Sequence, residues 1–101
     1  MNGRSLEITF EWDSKKAREN ERKHGVSFDE ARTVFGDTYA LHVYDGGHSW
    51  EEERFIIIGR SENNRVLFVV YVERIEMTLR LISARKATRR EKQDYEEKAF
   101  E

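Results

Sequence analysis

Three runs rich in β-branched and aromatic residues follow one another closely in the second half of the chain. They cover residues 54–61, 66–72 and 77–85, and only short polar segments separate them. The first separator contains Asn63-Asn64, and asparagine tolerates the positive φ angle that a tight hairpin turn requires. Runs of this length and spacing are typical of neighbouring antiparallel strands. The sequence therefore predicts an antiparallel β-meander, to which the rest of the chain must attach.

The first half of the chain carries the signals of two helices. Asp13 or Ser14 is suited to cap a helix that ends at Gly25, where a left-handed residue is common. Ser27 is followed three residues later by Glu30, which is the signature of a capping box. This pattern predicts a second, short helix directly after the first.

Two further strands and a last helix complete the predicted order. Alternating apolar residues over 6–10 predict a first strand, and residues 39–44 predict another. Thr88 and Glu91 form a second capping box, from which a C-terminal helix runs toward Phe100. The predicted order is one strand, two helices, four strands and one helix.

Length and composition restrict the class of protein. The 101 residues suit one compact domain, residues 1–101. There is no cysteine, so neither a disulfide framework nor a thiolate metal site is predicted, and a reducing cytoplasm is the expected location. The longest apolar run, residues 66–72, is too short to cross a bilayer, so no membrane association is expected. We predict a single α+β domain, with N-terminal helices packed on an antiparallel β-sheet and a C-terminal helix.

The formal net charge of -2 hides a separation of charge along the chain. Residues 1–53 carry 7 Lys+Arg and 12 Asp+Glu, a balance of -5, whereas residues 54–101 carry 11 and 8, a balance of +3. Six cations surround one acid, Glu91, at the junction of the last strand with the last helix: Arg80, Arg85, Lys86, Arg89, Arg90 and Lys92. This junction is predicted to bind anions; the alternative is a solvated helix face, which carries the same residue types.

The register of the meander decides which of these cations meet acidic residues. A two-residue turn pairs Arg54 with Glu73, and an even-numbered next loop brings Arg80 to the same face, near Tyr71. Guanidinium groups stabilise a pentacovalent phosphate, and a carboxylate or phenolate can take the proton of an RNA 2′-hydroxyl. The predicted cluster therefore suits metal-independent RNA cleavage. The alternative is an exposed Arg54–Glu73 ion pair with Tyr71 packed over a small core.

Arg85 is the more unusual arginine of the last strand. Strict alternation places it on the opposite, helix-covered face, where an unpaired guanidinium is costly to bury. Arg85 must therefore emerge at the strand end or find a partner.

The three histidines give little support for a metal site. His24, His42 and His48 are scattered along the chain. His48 is followed three residues later by Glu51, but no clear third ligand accompanies the pair. We predict neither a metal site nor a cofactor.

Residues 8–97 resemble the BrnT family of bacterial type II toxins. The most specific segments are KHGVSF at residues 23–28 and ISARKA at residues 82–87. The resemblance implies a RelE-like fold and a metal-independent ribonuclease activity that arrests translation. It also implies a BrnA-like antitoxin with a ribbon-helix-helix DNA-binding domain, and a toxin-antitoxin complex that represses its own operator. The connection at residues 73–76 departs from the family, in which a glycine-containing turn is expected.

The resemblance and the register together suggest roles for nine residues. Arg85, which lies in the ISARKA segment, and Arg80 are expected to stabilise the transition state. Glu73 is the expected general base, Tyr71 is an alternative proton-transfer group, and Arg54 lies beside them. Four further cations are expected to hold RNA phosphates: Lys86, Arg60, Lys23 and Arg89.

An endoribonuclease toxin is the leading functional hypothesis. The alternative is a non-catalytic protein-binding or corepressor subunit, an inactive toxin homologue whose basic junction holds an acidic segment of a partner. A small DNA-binding protein is less favoured, because the sequence contains no recognisable recognition helix and its net charge does not favour duplex DNA.

Overall fold

The structure, a computed structural model, describes residues 7–45 and 53–99. Its elements are β1 (Thr9–Glu11), α1 (Ser14–His24), α2 (Phe28–Ala31), a 3₁₀ helix (Arg32–Gly36), β2 (Leu41–Asp45), β3 (Arg54–Arg60), β4 (Val66–Glu73), β5 (Thr78–Lys86) and α3 (Arg89–Ala99). The strands form one sheet in the order β1-β5-β4-β3-β2, with β1 parallel to β5 and the other neighbours antiparallel. The predicted α+β class and the meander are confirmed. No helix in the described part of the chain is both long and apolar enough to span a membrane.

Capping residues set the helix boundaries as predicted. The Asp13 carboxylate accepts a hydrogen bond from the first turn of α1, and Gly25, with φ 70°, ends the helix. The Thr88 N–H donates to the Glu91 carboxylate at 2.8 Å, and the Glu91 N–H donates to the Thr88 hydroxyl at 3.1 Å. These reciprocal bonds satisfy backbone donors that a helix start leaves unpaired. The start of the predicted first strand and the end of the predicted last helix lie outside the described residues.

Helices cover the sheet on both faces. One face, the N-helix face, packs against the helices that precede β2, around this buried core: Val26, Phe28, Ala31, Val34, Ala40, Ile57, Leu67, Val69, Tyr71, Leu81 and Ala84. The other, the α3 face, has a smaller core: Ile56, Ile58, Val66 and Tyr95. The Tyr95 hydroxyl donates to the Asp37 carboxylate at 2.6 Å, which ties α3 to the segment between the 3₁₀ helix and β2.

The β3–β4 hairpin differs by one residue from the predicted register. The Ser61 N–H donates to the Arg65 carbonyl at 2.8 Å, so three residues form the loop, and the last of them, Asn64, has φ 63°. This three-residue loop replaces the two-residue turn that the sequence suggested. A shift of one residue moves side chains to opposite faces. The prediction that Arg54 pairs with Glu73 is therefore wrong, since Arg54 lies on the α3 face and Glu73 on the N-helix face.

The β4–β5 hairpin also has an odd-numbered loop. The Arg74 N–H donates to the Thr78 carbonyl at 2.7 Å, which leaves residues 75–77 as the loop. The last two of these have φ 56° and 59°, a region that favours glycine and explains why a glycine-containing turn was expected here. Arg80 consequently lies on the α3 face. The prediction that Arg80 lies beside Tyr71 is wrong.

A β-bulge interrupts β5 and reverses its alternation. The pairing of β4 with β5 shifts by one residue between Val70 and Tyr71, which makes Ile82 an extra residue in β5. Beyond the bulge, Ala84 is buried in the N-helix core and Arg85 lies on the α3 face. The prediction that Arg85 lies on the N-helix face is therefore wrong.

A buried side chain closes the edge of β5 where β1 ends. The Asn20 amide of α1 donates to the Ala84 carbonyl at 2.9 Å and accepts from the Ala84 N–H at 3.1 Å. It also donates to the Val26 carbonyl at 3.0 Å. Asn20 thus takes the place of a neighbouring strand. Sequence reasoning did not single out this residue, because an asparagine in a polar helix has the appearance of a solvated position.

Candidate functional site

A cleft of about 320 Å³ opens beside the end of β4, between the 3₁₀ helix and the start of β5. We call it the Glu73 cleft. Half of its lining is apolar: Ile8, Phe35, Met77 and Leu79. The other half carries a carboxylate, a guanidinium, an imidazole and a phenol: Glu73, Arg74, His42 and Tyr71. Two predicted site residues, Glu73 and Tyr71, therefore meet here with two that were not predicted.

Tyr71 forms the buried wall of the Glu73 cleft. Its ring lies 5.8 Å from the ring of Phe55 and 5.0 Å from that of Phe35, centroid to centroid. Burial, and then the negative charge of Glu73, raise the pKa of the Tyr71 hydroxyl. The phenol therefore stays protonated near neutral pH and can donate a hydrogen bond, but it is poorly suited to act as a base. Of the two proton acceptors suggested by the sequence, the structure favours Glu73.

A shared carboxylate links the Glu73 cleft to Arg80. Glu11 of β1 lies 3.1 Å from the Arg80 guanidinium and 3.8 Å from that of Arg74, which lines the cleft. Glu11 can pair with both because β1 lies beside β5 in parallel register, with Glu11 opposite Arg80. Arg80 is therefore connected to the cleft through Glu11 and Arg74.

Arg54 and Arg80 share the α3 face. Both lie opposite Val72, one on each side of it, so two strand spacings or roughly 10 Å separate their Cα atoms. Glu73 and Tyr71 point to the other face at the same end of the sheet. The structure therefore divides the predicted catalytic cluster between the two faces.

Arg85 forms an ion pair with Glu91, which gives its partly buried guanidinium the partner that it needs. Its two terminal nitrogens donate to the two carboxylate oxygens of Glu91 at 2.8 and 2.9 Å. The guanidinium also lies over the ring of Phe68, 3.9 Å from the centroid. The Arg85 hydrogen bonds lower the pKa of Glu91, and the same bonds raise the pKa of Arg85. Arg85 therefore fastens the start of α3 to the sheet, in the manner of a bidentate ion pair.

A second cleft, of about 290 Å³, lies at the other end of β4. We call it the Lys86 cleft; it is lined by Arg60, Asn64, Arg65, Val66, Lys86, Ala87 and Lys92. None of these described lining residues is acidic. Two predicted phosphate-binding residues, Arg60 and Lys86, meet here, and Lys92 joins them from α3. The eight residues of β4 separate this cleft from the Glu73 cleft by roughly 20 Å.

The other two predicted phosphate-binding residues lie elsewhere. Arg89 shares with Lys92 a groove on α3 that Gln93 and Glu96 also line. Lys23 lies on α1, in a shallow groove that reaches Ser83. The structure brings Arg89 near the Lys86 cleft through Lys92, but it does not bring Lys23 there.

Glu30 serves a different purpose from the one its capping signature suggests. Its N–H donates to the Ser27 hydroxyl at 3.0 Å, as predicted. Its carboxylate, however, accepts bonds from Arg65 and from the Ser61 hydroxyl, the latter at 2.7 Å. The Arg65 guanidinium is the main cause that lowers the pKa of Glu30 to about 2. A partly buried ion pair thus anchors α2 to the β3–β4 turn.

The described residues contain no group of three or more histidine, cysteine, aspartate or glutamate side chains that could hold a metal ion. His24 and His42 lie on α1 and β2. His48 and Glu51, the pair considered from the sequence, lie outside the described residues.

Comparisons with known proteins match this chain to one family. A sequence model described as "Ribonuclease toxin, BrnT, of type II toxin-antitoxin system" matches residues 12–91. The crystal structure of the Brucella abortus ribonuclease toxin, BrnT, superposes with a TM-score of 0.62 at 21% sequence identity, covering 82% of this chain and 100% of that one. None of the curated proteins compared with the sequence matches it. The structural likeness supports the fold, and the match over residues 12–91 supports the family.

Proposed function

This chain belongs to the BrnT family of ribonuclease toxins of type II toxin-antitoxin systems, and we propose that it is a metal-independent endoribonuclease whose active site is the Glu73 cleft. One observation carries the proposal. A single cleft of about 320 Å³ holds a carboxylate, an arginine and two further side chains that can donate hydrogen bonds. These are the groups that in-line cleavage of RNA by its own 2′-hydroxyl requires.

In the proposed reaction, Glu73 takes the proton of the 2′-hydroxyl as its oxygen attacks the adjacent phosphorus. The Arg74 guanidinium stabilises the negative charge that develops on the phosphoryl oxygens. Tyr71 donates a hydrogen bond to one of these oxygens, in keeping with its raised pKa. The products are a 2′,3′-cyclic phosphate and a free 5′-hydroxyl. The base and the positive charge both come from the protein, so the proposed reaction does not require a metal ion.

The three remaining arginines of the predicted catalytic set act indirectly in this proposal. Arg80 orients Glu11, which in turn orients Arg74. Arg54 presents positive charge to RNA on the α3 face. Arg85 positions α3 through Glu91, so we propose that it is a positioning residue.

The Lys86 cleft is the proposed phosphate-binding surface. Arg60, Lys86 and Lys92 line it, and Arg89 extends it along α3. The two clefts lie at opposite ends of β4 and on opposite faces of the sheet, so RNA that contacts both must pass around the sheet. Lys23 lies on α1, away from this surface, and we propose that it contacts an RNA phosphate separately.

The biological setting follows from the family. Because a type II toxin has an antitoxin, we propose that a BrnA-like ribbon-helix-helix protein binds this chain and that the complex represses its own operator. DNA is then contacted through the antitoxin only. We further propose that RNA cleavage in the cytoplasm inhibits translation, and that the fold is related to RelE-like toxins.

Cleavage of RNA in the presence of EDTA tests the catalytic part of the proposal. We expect Glu73→Gln to slow cleavage by about 10²- to 10⁴-fold, the usual contribution of a general base. Glu62→Gln, which changes an exposed carboxylate in the β3–β4 turn, is the matched control and is expected to cleave at the wild-type rate.

The Arg85→Ala variant separates a catalytic role from a positioning role. We expect reduced thermal stability together with a cleavage rate that recovers at low temperature, where α3 stays docked. A fully folded Arg85→Ala variant that cleaves no RNA would instead make Arg85 catalytic. If wild type and Glu73→Gln cleave RNA at the same rate, the proposed active site is wrong. If the wild type leaves RNA intact, a non-catalytic binding subunit is favoured.

A further inference from the structure

His42 of β2 lines the Glu73 cleft together with Glu73 of β4. His42 on β2 pairs with Ile57, and Ile57 pairs with Val69 of β4, so the three occupy one row of the N-helix face. Glu73 lies four residues farther along β4. Strand spacing and rise place the Cα atoms of His42 and Glu73 roughly 16 Å apart. Both side chains line the cleft, whose volume of about 320 Å³ leaves room for a phosphodiester.

The proposed reaction needs a proton donor as well as a proton acceptor. As the 2′-oxygen attacks, the bond from phosphorus to the 5′-oxygen breaks, and an unprotonated alkoxide is a poor leaving group. The Arg74 guanidinium does not release a proton in proteins. Tyr71 is a weaker acid than an imidazolium, because burial and Glu73 raise its pKa. A histidine is the side chain most often suited to this transfer near neutral pH.

We propose that His42 is the general acid of the reaction. Its imidazolium donates a proton to the 5′-oxygen as the phosphorus–oxygen bond breaks, while the proton of the 2′-hydroxyl goes to Glu73. The neutral imidazole then regains a proton from water, and the Glu73 carboxyl loses its proton to water, so both groups return to their starting states. This inference rests on the proposed ribonuclease function of the Glu73 cleft.

The surroundings of His42 are mixed in charge. Glu73 and Arg74 are the charged residues that line the cleft with it. Tyr71 is neutral, and the neighbouring walls from the 3₁₀ helix and β5 are apolar, formed by Phe35 and Leu79. The side chain is exposed to solvent. Water can therefore restore its proton between turnovers.

A change of leaving group tests the assignment directly. Two RNA oligonucleotides are prepared around one linkage that the wild type cleaves, with either oxygen or sulfur at the bridging 5′ position. A thiolate leaves without protonation, so the sulfur substrate does not need a general acid. We expect His42→Ala to cleave the oxygen substrate about 10²-fold or more slowly than wild type. On the sulfur substrate we expect a rate within about threefold of wild type.

Two further variants make the result specific. Glu73→Gln is expected to be slow on both substrates, because the 2′-hydroxyl must lose its proton in either case. His24→Ala, which removes a histidine from the end of α1, is expected to cleave both substrates normally. The rate of the wild type on the oxygen substrate should also fall at high pH, and this fall should be absent from the wild type on the sulfur substrate, which needs no acid.

The outcomes separate the inference from the function on which it rests. If Glu73→Gln is slow but His42→Ala cleaves the oxygen substrate normally, His42 is not the acid and the cleft remains the active site. An equal defect of His42→Ala on both substrates also overturns the assignment. Normal cleavage by Glu73→Gln overturns the proposed active site itself.

Discussion

Acid should weaken this fold by a defined amount through the buried carboxylate of Glu30, which pairs with the partly buried Arg65. The Glu30 side chain is 6% exposed, and its carboxylate accepts bonds from Arg65 and Ser61. The pKa of Glu30 is lowered from 4.5 to about 2, chiefly by Arg65. A carboxyl group whose pKa is lower in the folded state stabilises the fold fully above its unfolded pKa. That contribution is lost as the pH falls from about 4.5 through about 2.

The size of the effect follows from the pKa difference. A shift from 4.5 to about 2 corresponds to about 3 kcal/mol at pH 7. About 2 kcal/mol of this is lost between pH 7 and pH 3. For a domain of this size, such a loss lowers the melting temperature by about 10 °C. Typical domains have only 5–15 kcal/mol in total, so the change is easily measured.

The Glu30→Gln variant isolates this contribution from those of other carboxylates. Urea unfolding of wild type and variant is measured at pH 7 and at pH 3 by circular dichroism. We expect the difference in free energy of unfolding between the two proteins to shrink by about 2 kcal/mol at the lower pH. Asp29→Asn, which changes an exposed neighbour, is expected to leave the pH dependence unchanged. A constant difference between wild type and Glu30→Gln at the two pH values would refute the reasoning.

Three further predictions concern the sheet edge, the α3 anchor and the Lys86 cleft. In urea unfolding, Asn20→Ala should lower the free energy of unfolding by about 3 kcal/mol, because it leaves buried backbone groups without partners. A loss below about 1 kcal/mol would contradict this prediction. Arg85→Lys should cost about 1 kcal/mol through loss of its bidentate pair, whereas Arg90→Lys, at a largely exposed pair, should change the melting temperature little. Replacing both Lys86 and Lys92 with alanine should weaken the binding of single-stranded RNA, measured by fluorescence anisotropy. The slope of log binding constant against log salt concentration should fall in magnitude by about one. An unchanged slope would remove this cleft from the RNA-binding surface.

Local signals were sufficient to predict the elements of this fold. Asp13, Gly25 and the Thr88–Glu91 pair act within one turn of their own helix, so their effect can be read from neighbouring residues. The alternation of the three strand runs is similarly local. The parallel pairing of β1 with β5 joins residues about 70 positions apart. No pattern within either strand specifies that contact, and it was not predicted.

Register was the limit of prediction for the site, because a single residue in a loop reverses every side chain beyond it. Asn64 at φ 63° lengthens one hairpin loop to three residues, and residues 75–77 form the other. The two odd-numbered loops turn Tyr71 and Glu73 of β4 to the N-helix face, whereas Arg54 and Arg80 stay together on the α3 face. The bulge at Ile82 moves Arg85 to the α3 face as well. The two loops alter neither the composition nor the hydrophobic period of a strand, so they leave almost no trace in the sequence.

The Glu73 cleft depends on this same non-local geometry. Tyr71 and Glu73 share a face because they lie two residues apart in β4, and this part of the cluster could be predicted from alternation. His42 reaches the cleft only because β2 lies beside β3, on the side of β3 away from β4. Arg74 is drawn toward Glu11 by the parallel β1 strand. The proton acceptor was therefore accessible to sequence reasoning, whereas the proposed donor and the cation beside it become visible only when the order of the strands is known.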